Sequence, residues 1–309
     1  MLSIKQMCEW AEVSRSGYYN WINNTRINRA RKHAQDTEDY ALIKAAFDMM
    51  GEDKGARMIH MLLLQWGYLM NLKKVRRLMK KYGLECGIRK RKAYRIKQKS
   101  ELSKRVQPNF VRRQFKAYGP RCVLLTDITY CIYGRNKTAY LCTIKDAYTN
   151  EILSYTVSES LEMGFVLECV ENLVENHGID LHDKTLIHSD QGSHFTSISF
   201  QNLLKKHSII QSMSRRGNCW DNAPQESFFG HMKDAINFAL MDTFEQVKTA
   251  IDAYMEYYNN DRPQWNLAKL PPTQYYQYYQ TGVYPYGDLI TPPAFPEVRQ
   301  LEIIEEPSE

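Results

Sequence analysis

Residues 122–131 read CVLLTDITYC. The run is dense in apolar, β-branched and aromatic residues, the composition of a buried strand, and Asp127 stands in its middle. A lone carboxylate there is costly unless it is paired, protonated or bound to a metal. Two more strands follow, TAYLCTIKDA (138–147) and ILSYTVS (152–158), separated by the turn residues GRN and TN. Beyond them the pattern alternates: a helix near 162–176, the strand TLIHSD, a helix near 196–207 and the strand IIQSMS. A helix then opens near Pro224, a residue suited to a first turn. A long last helix carries Phe244, Val247, Ile251, Tyr254 and Tyr258 on one face. Three strands followed by alternating helices and strands predict an α/β fold, a mixed five-stranded sheet with flanking helices.

Upstream of Gly119-Pro120 the chain reads as all-α. In MCEWAEVSRSGYYNWI, Ala11, Val13, Tyr18 and Trp21 are spaced like the core of two short helices around a Ser-rich turn, with Ser14 or Ser16 as cap of the second. A helix-turn-helix and a plain helical hairpin both fit. ARMIHMLLLQWG and LKKVRRLMKKYG each end in a glycine suited to a helix C-terminus. In the second, Val75, Leu78, Met79 and Tyr82 form one apolar stripe, and Lys73, Lys74, Arg76, Arg77, Lys80 and Lys81 fill the rest. The expected organisation is an N-terminal helical segment over 1–32, a helical DNA-binding domain over 33–92, a basic linker over 93–118, an α/β core over 119–283 and an acidic, Pro-rich tail over 284–309, mobile from Pro292.

The chain has 309 residues, 43% hydrophobic and 25% charged, the balance of a globular protein of about two domains. No apolar run is long enough to span a membrane, and MLSIKQMCEWAE lacks the apolar core of a signal peptide, so a cytoplasmic protein is expected. The net charge is +6, but residues 73–105 hold 15 Lys or Arg against Glu85 and Glu101, a net +13, leaving −7 for the rest. Such a cluster suits a polyanion, above all nucleic acid, by neutralising phosphates. The seven cysteines include no C-x-x-C pair, so neither a disulfide scaffold nor a cysteine-rich zinc site is expected.

Two further acids stand in special contexts. Asp190 ends the strand TLIHSD, where α/β sheets place their ligands. Glu226 sits in the first turn of a helix, after DNAPQ. Singly, each has a structural explanation, as a turn cap or a complement to the helix dipole. Together with Asp127 they stand in the order first strand, later strand, helix, with 62 and 35 residues between them. VSRSGYYNW, MIHMLLLQWGYLMNLKKVRRLMKKYGL, TDITY, HSDQGSHFTS, MSRRGNCWDNAPQESFFGHMK and YNNDRPQWNLAKLPPTQYY run in order along nearly the whole chain. With these blocks the chain resembles the DDE transposases of bacterial insertion sequences, of the retroviral-integrase-like type, and more narrowly the second-frame protein of two-frame elements. It departs from the family at KGARMI (54–59), Leu124 and Ala235. The resemblance implies an RNase H-like sheet preceded by a helix-turn-helix-type region.

It further implies a metal-dependent polynucleotidyl transferase that cuts and joins DNA during transposition. In-line displacement at phosphorus is served by two Mg²⁺ ions about 3.5–4 Å apart, which Mn²⁺ can replace, held by hard oxygen ligands. Asp127 is expected to bridge both ions, and Asp190 and Glu226 to complete one shell each. Lys233, seven residues beyond Glu226 on the same helix face, is expected to touch the DNA. Arg215, Arg216, Lys73, Lys74, Arg76, Arg77, Lys80, Arg89, Lys90, Arg91 and Lys92 are further expected DNA contacts. Asp146 reads as a turn cap and Asp221 and Asn222 as ordering the loop before the helix, with either acid an alternative ligand; His188 reads as a neighbour of the site and Trp220 as a DNA contact or a core residue. The resemblance also implies double-stranded DNA partners (element ends and target), a homo-multimer on DNA, an upstream-frame protein fused to or assisting this one, and a place at the bacterial nucleoid, with no membrane. Two rivals share parts of the pattern: an RNase H-fold nuclease that does not join, and a non-catalytic DNA-binding regulator. A retroviral integrase proper would carry a His-His-Cys-Cys module before residue 119, and none is present.

Overall fold

The computed structural model describes residues 3–49, 54–86, 106–215 and 219–300. The chain divides into two units, Met1–Gly87 and Ile88–Glu309. Among the described residues no helix is long and apolar enough to cross a membrane.

The first unit is all-α: α1 (Ile4–Trp10), α2 (Arg15–Asn20), a π-helical turn (Trp21–Thr25), α3 (Arg26–Asp48), α4 (Ala56–Gln65) and α5 (Leu72–Lys81). Ser14 caps α2 by accepting the Gly17 N–H at 3.0 Å. The core expected around this turn does not form: Ala11, Val13 and Trp21 are exposed and Tyr18 is half-buried. The helical backbone is continuous from Arg15 to Asp48, and the buried residue of α1 is Cys8 instead. Residue 32 accordingly falls inside α3. The helices α3, α4 and α5 do build a core, from Ile43, Phe47, Ile59, Leu62, Leu63, Val75, Leu78 and Met79. The predicted stripe of α5 is its inward face, and Asn71 caps it through the Lys73 N–H at 2.8 Å.

The second unit holds a five-stranded sheet in the order β3-β2-β1-β4-β5: β1 (Val123–Tyr133), β2 (Lys137–Asp146), β3 (Ile152–Ser158), β4 (Leu186–Ser189) and β5 (Ile210–Met213). The first three pair antiparallel, and β4 and β5 run parallel to β1. This is the expected RNase H-like arrangement. One face packs on α6 (Met163–His177) and α7 (Ile198–Lys206) through Leu124, Cys142, Ile144, Val166, Val170, Phe200 and Leu204. On the opposite face lies α8 (Ala223–Ala235), followed by α9 (Phe244–Asn260) and α10 (Pro272–Thr281). Asn259, at the end of α9, clasps the β3 backbone by accepting the Ile152 N–H and donating to its carbonyl, both at 2.9 Å.

Two stretches outside the expected core belong to it. Of the expected linker, residues 106–118 pack on the sheet: Val111 is buried with Val123, Leu125 and Leu186. The Phe110 N–H donates to Ser212 Oγ at 3.0 Å, and the Met213 N–H to the Pro108 carbonyl at 3.2 Å. They cover an edge strand whose backbone would otherwise be open. The C-terminal stretch expected to be mobile is packed as far as residue 300. The Phe295 ring lies tilted against Tyr278, centroids 4.5 Å apart, and the Tyr278 hydroxyl donates to the Pro293 carbonyl at 3.0 Å. The Arg299 N–H donates to the Ala117 carbonyl at 2.7 Å. A few buried aromatics, Tyr284 among them, outweigh a composition rich in proline and acids. The helix α10 was not expected from the sequence, although Pro272 in its first turn and Gly282 at φ +72° after its end mark both limits.

Candidate active site

Asp127 stands mid-β1, opposite Thr143 of β2, and turns its side chain to the face that carries α8. Its Oδ1 accepts the Ile128 N–H at 2.8 Å, and its Oδ2 accepts from Asn222 Nδ2 at 3.2 Å. The strand β4 pairs with β1 so that His188 faces Leu125. Two residues on along each strand come Asp190 and Asp127, so the parallel register brings these acids together. The Asp190 side chain folds back onto its own turn, with Oδ1 accepting the Gly192 N–H at 2.8 Å. Glu226 occupies the first turn of α8 and is open to solvent.

The electrostatics at Asp127 reflect its neighbours. The Asp127 carboxyl is pushed up to about 8, first by burial, then by the charge of Asp190; Glu226 pushes it further, while the Ile128 N–H and Lys233 oppose the rise. Asp190 is itself raised, through loss of water, against the pull of Gly192 N–H and His194. Asp127 on β1 therefore feels the charges of Asp190 at the end of β4, of Glu226 at the start of α8 and of Lys233 in its last turn.

The other residues singled out from sequence take structural places. His188 is buried between two hydroxyls, Ser212 Oγ at 2.9 Å and Ser214 Oγ at 3.1 Å, and burial brings it down to about 4, a neutral imidazole at neutral pH. Asp146 accepts the Tyr148 N–H at 2.8 Å and pairs with Arg121 at 3.2 Å. Asp221 pairs with Arg113 at 2.7 Å and Arg215 at 3.1 Å, which hold it well below the carboxylate range against the effect of burial. Arg215 is thus engaged within the fold. On α5 of the first unit, Lys74 pairs with Asp39, and Arg77 grips both oxygens of Asp36 at 2.8 and 2.6 Å. Lys73, Arg76 and Lys80 point to solvent. Arg216, Arg89, Lys90, Arg91 and Lys92 lie outside the described residues, as does the Trp220 side chain.

Sequence reasoning assigned Asn222 to loop ordering and missed its bond to Asp127; the DNAP turn just before α8 was the available signal. Among the described residues no three His, Cys, Asp or Glu side chains stand close enough together to hold an ion. The donor chemistry nevertheless suits a hard divalent cation. Three carboxylates repel one another, so a cation would lower the Asp127 proton affinity. The Asn222 Oδ1, on the amide that meets Asp127 through its Nδ2, is buried and lacks a hydrogen-bond partner, an orphaned hard oxygen that a cation would satisfy.

Comparison with known proteins gives the family. Residues 117–219 match an integrase core domain family, residues 207–272 a second integrase core domain family, and residues 34–93 an HTH-like domain. The putative transposase InsK for insertion sequence element IS150 of Escherichia coli K12 is 33% identical over 88% of this chain and 93% of its own length. The transposase for insertion sequence element IS904 of Lactococcus lactis is 32% identical over 76% of this chain and 92% of its own. Among solved structures, the HTLV-2 integrase catalytic core domain in complex with magnesium covers 51% of this chain and 97% of its own at 18% identity, with a TM-score of 0.40.

Proposed function

This chain belongs to the integrase-core transposases of insertion sequences, and on that premise we propose that Asp127, Asp190 and Glu226 form the DDE site that cuts and rejoins DNA. The observation that supports the reading is the Asp127 carboxyl, placed level with Asp190 by the parallel β1–β4 register and pushed up by burial and by the charges of Asp190 and Glu226. An acid raised this far by burial and like charge marks a functional site more often than a structural one.

Asp127, Asp190 and Glu226 would together hold two divalent ions, Mg²⁺ or Mn²⁺. The ions, when bound, supply Lewis-acid activation of the attacking oxygen and charge stabilisation of the leaving one. The rest of the machinery belongs to the chain. Gly192 and Ile128 hold the two aspartates by backbone N–H donation, and Asn222 holds Asp127 from the loop before α8. Lys233 carries a positive charge two turns along α8 from Glu226, where it can meet a DNA phosphate. Water is the first nucleophile and the freed 3′-OH the second. The HTH-like part of the first unit supplies DNA binding, with Lys73, Arg76 and Lys80 on phosphates. Element ends and target DNA are the partners, and the working form is a homo-multimer on DNA, with an upstream-frame protein as a further component.

The test is strand-transfer reversal on a branched DNA that mimics the joined product, in Mg²⁺ or Mn²⁺. Wild type resolves the branch, and Glu226→Gln and Asp190→Asn lose at least about 10³-fold in rate with unchanged DNA binding. Equal rates for wild type and both variants would overturn the assignment. Cutting without joining would favour the nuclease reading.

A further inference from the structure

Lys145 is a charged side chain that the carboxylate chemistry does not use, yet it is only 2% exposed. It stands on β2 opposite Leu125, two residues from Thr143, which faces Asp127. Thr143 and Lys145 therefore look out from the same face of the sheet as Asp127. A bulge against β3 falls at Ile144/Lys145, where the register slips from Ser154 to Ile152. Bulges of this kind re-aim a side chain and recur beside active sites.

The re-aimed ammonium reaches α8. Lys145 Nζ donates to the carbonyl of Pro224 and lies 5.8 Å from the centre of the Phe228 ring. One residue further along α8, Gln225 is fully buried, and its Nε2 donates to Thr143 Oγ1. The residues immediately before Glu226 are thus tied to β2 at two points, and β2 is the strand paired with Asp127. Stability does not call for a lysine here. Burial and the nearby charge of Lys116 bring it down to about 7. An apolar side chain of similar volume would avoid that desolvation.

From this juxtaposition we propose that Lys145, with Thr143, is a positioning residue for Glu226: the two β2 anchors on Pro224 and Gln225 set the height and rotation of the first turn of α8, and so present the Glu226 carboxylate beside Asp127. The proposal rests on the reading of Glu226 as a member of the catalytic set. It concerns contacts in this chain and assigns Lys145 no contact with DNA or metal.

The experiment uses the full chain, a branched DNA and titrated Mn²⁺, with DNA affinity, melting temperature and Mn²⁺ binding by calorimetry measured alongside. Lys145→Met keeps the volume and removes the anchor. It should raise the Mn²⁺ concentration for half-maximal rate about tenfold and lower the maximal rate about tenfold, the scale of a sub-ångström misplacement. DNA affinity should hold, and the melting temperature should stay level or rise. Thr143→Val should shift the Mn²⁺ dependence in the same direction by less, and Lys145→Arg, which keeps a donor, should recover part of the loss. Wild-type Mn²⁺ dependence in Lys145→Met would overturn the proposal. So would a fall in rate that merely tracks falling melting temperature and DNA affinity, the mark of a packing role. Should Lys145→Met not fold, Thr143→Val decides by the same criteria. Glu226→Gln runs in parallel: if it keeps wild-type rate, the site assignment itself has failed. If it is inactive while Lys145→Met and Thr143→Val behave as wild type, the positioning role alone has failed.

Discussion

Replacing Asp127 with asparagine should stabilise the metal-free protein while abolishing its chemistry. The folded carboxyl titrates near 8 against 3.8 for the free group. Since the folded value is the higher, the folded state keeps a proton that the unfolded chain releases. The contribution of this one group to stability is therefore fully present below about pH 4, falls as pH rises towards 8 and is lost above it. At pH 7 the nominal cost is about 4 kcal/mol, and water reaching a half-buried group reduces it to about 2 kcal/mol. For a unit of this size that is about 4–8 °C in melting temperature. The Asp127→Asn substitution removes the titration and keeps a carbonyl for the Ile128 N–H. The new amide nitrogen takes the place of Oδ2, and a half-turn of the Asn222 amide lets its Oδ1, without a partner in the wild type, accept from it. Melting curves in EDTA from pH 5 to 9 should show the variant above wild type by a margin that widens with pH. Added Mg²⁺ should raise the wild type at pH 8 and leave the variant unmoved. A variant that melts at or below wild type at pH 8 without metal, or that keeps the wild-type pH slope, would refute the reasoning.

Other residues give sharper contrasts. On α5, Arg77→Ala leaves the buried Asp36 without its bidentate partner and should lower the melting temperature of the first unit by several degrees, on the order of a broken buried pair. Lys73→Ala, Arg76→Ala and Lys80→Ala should leave that temperature unchanged and each reduce the salt slope of DNA binding by about 1, read from binding isotherms at several salt concentrations. Gly192→Ala places a Cβ 2.9 Å from Asp190 Oδ1, so branch resolution should fall about 10²-fold with little change in melting temperature. Truncation after Gly282 uncovers Tyr275 and Tyr278, so the second unit should melt lower and bind a hydrophobic dye, whereas a tail without a packing role would leave it unchanged.

The sheet was legible because each strand is a short apolar, β-branched run closed by turn residues, and because burial on both faces admits little else. The order of the acids was legible for the same reason: Asp127 interrupts a strand, Asp190 ends one and Glu226 opens a helix. What escaped was long-range. Residues 106–118 read as linker because the basic run before them dominates the local composition, while their anchors, Ser212 and Asp221, lie about a hundred positions away. The tail read as mobile because composition does not reveal that Phe295 meets Tyr278. Ala11, Val13 and Trp21 carry a core-like spacing, but spacing cannot supply a second layer to bury them. The basic face of α5 looked uniform, and only the fold shows Asp36 and Asp39 claiming Arg77 and Lys74 for internal pairs.

Thiol substitution of the aspartates is the most direct measure of whether the acids act as metal ligands. Asp127→Cys and Asp190→Cys exchange a hard oxygen for a soft sulfur, which Mg²⁺ tolerates poorly and Mn²⁺ better. Both variants should fail to resolve branched DNA in Mg²⁺ and regain measurable activity in Mn²⁺, with DNA affinity unchanged. Equal activity in the two metals, or full activity of either variant in Mg²⁺, would contradict a ligand role for these acids.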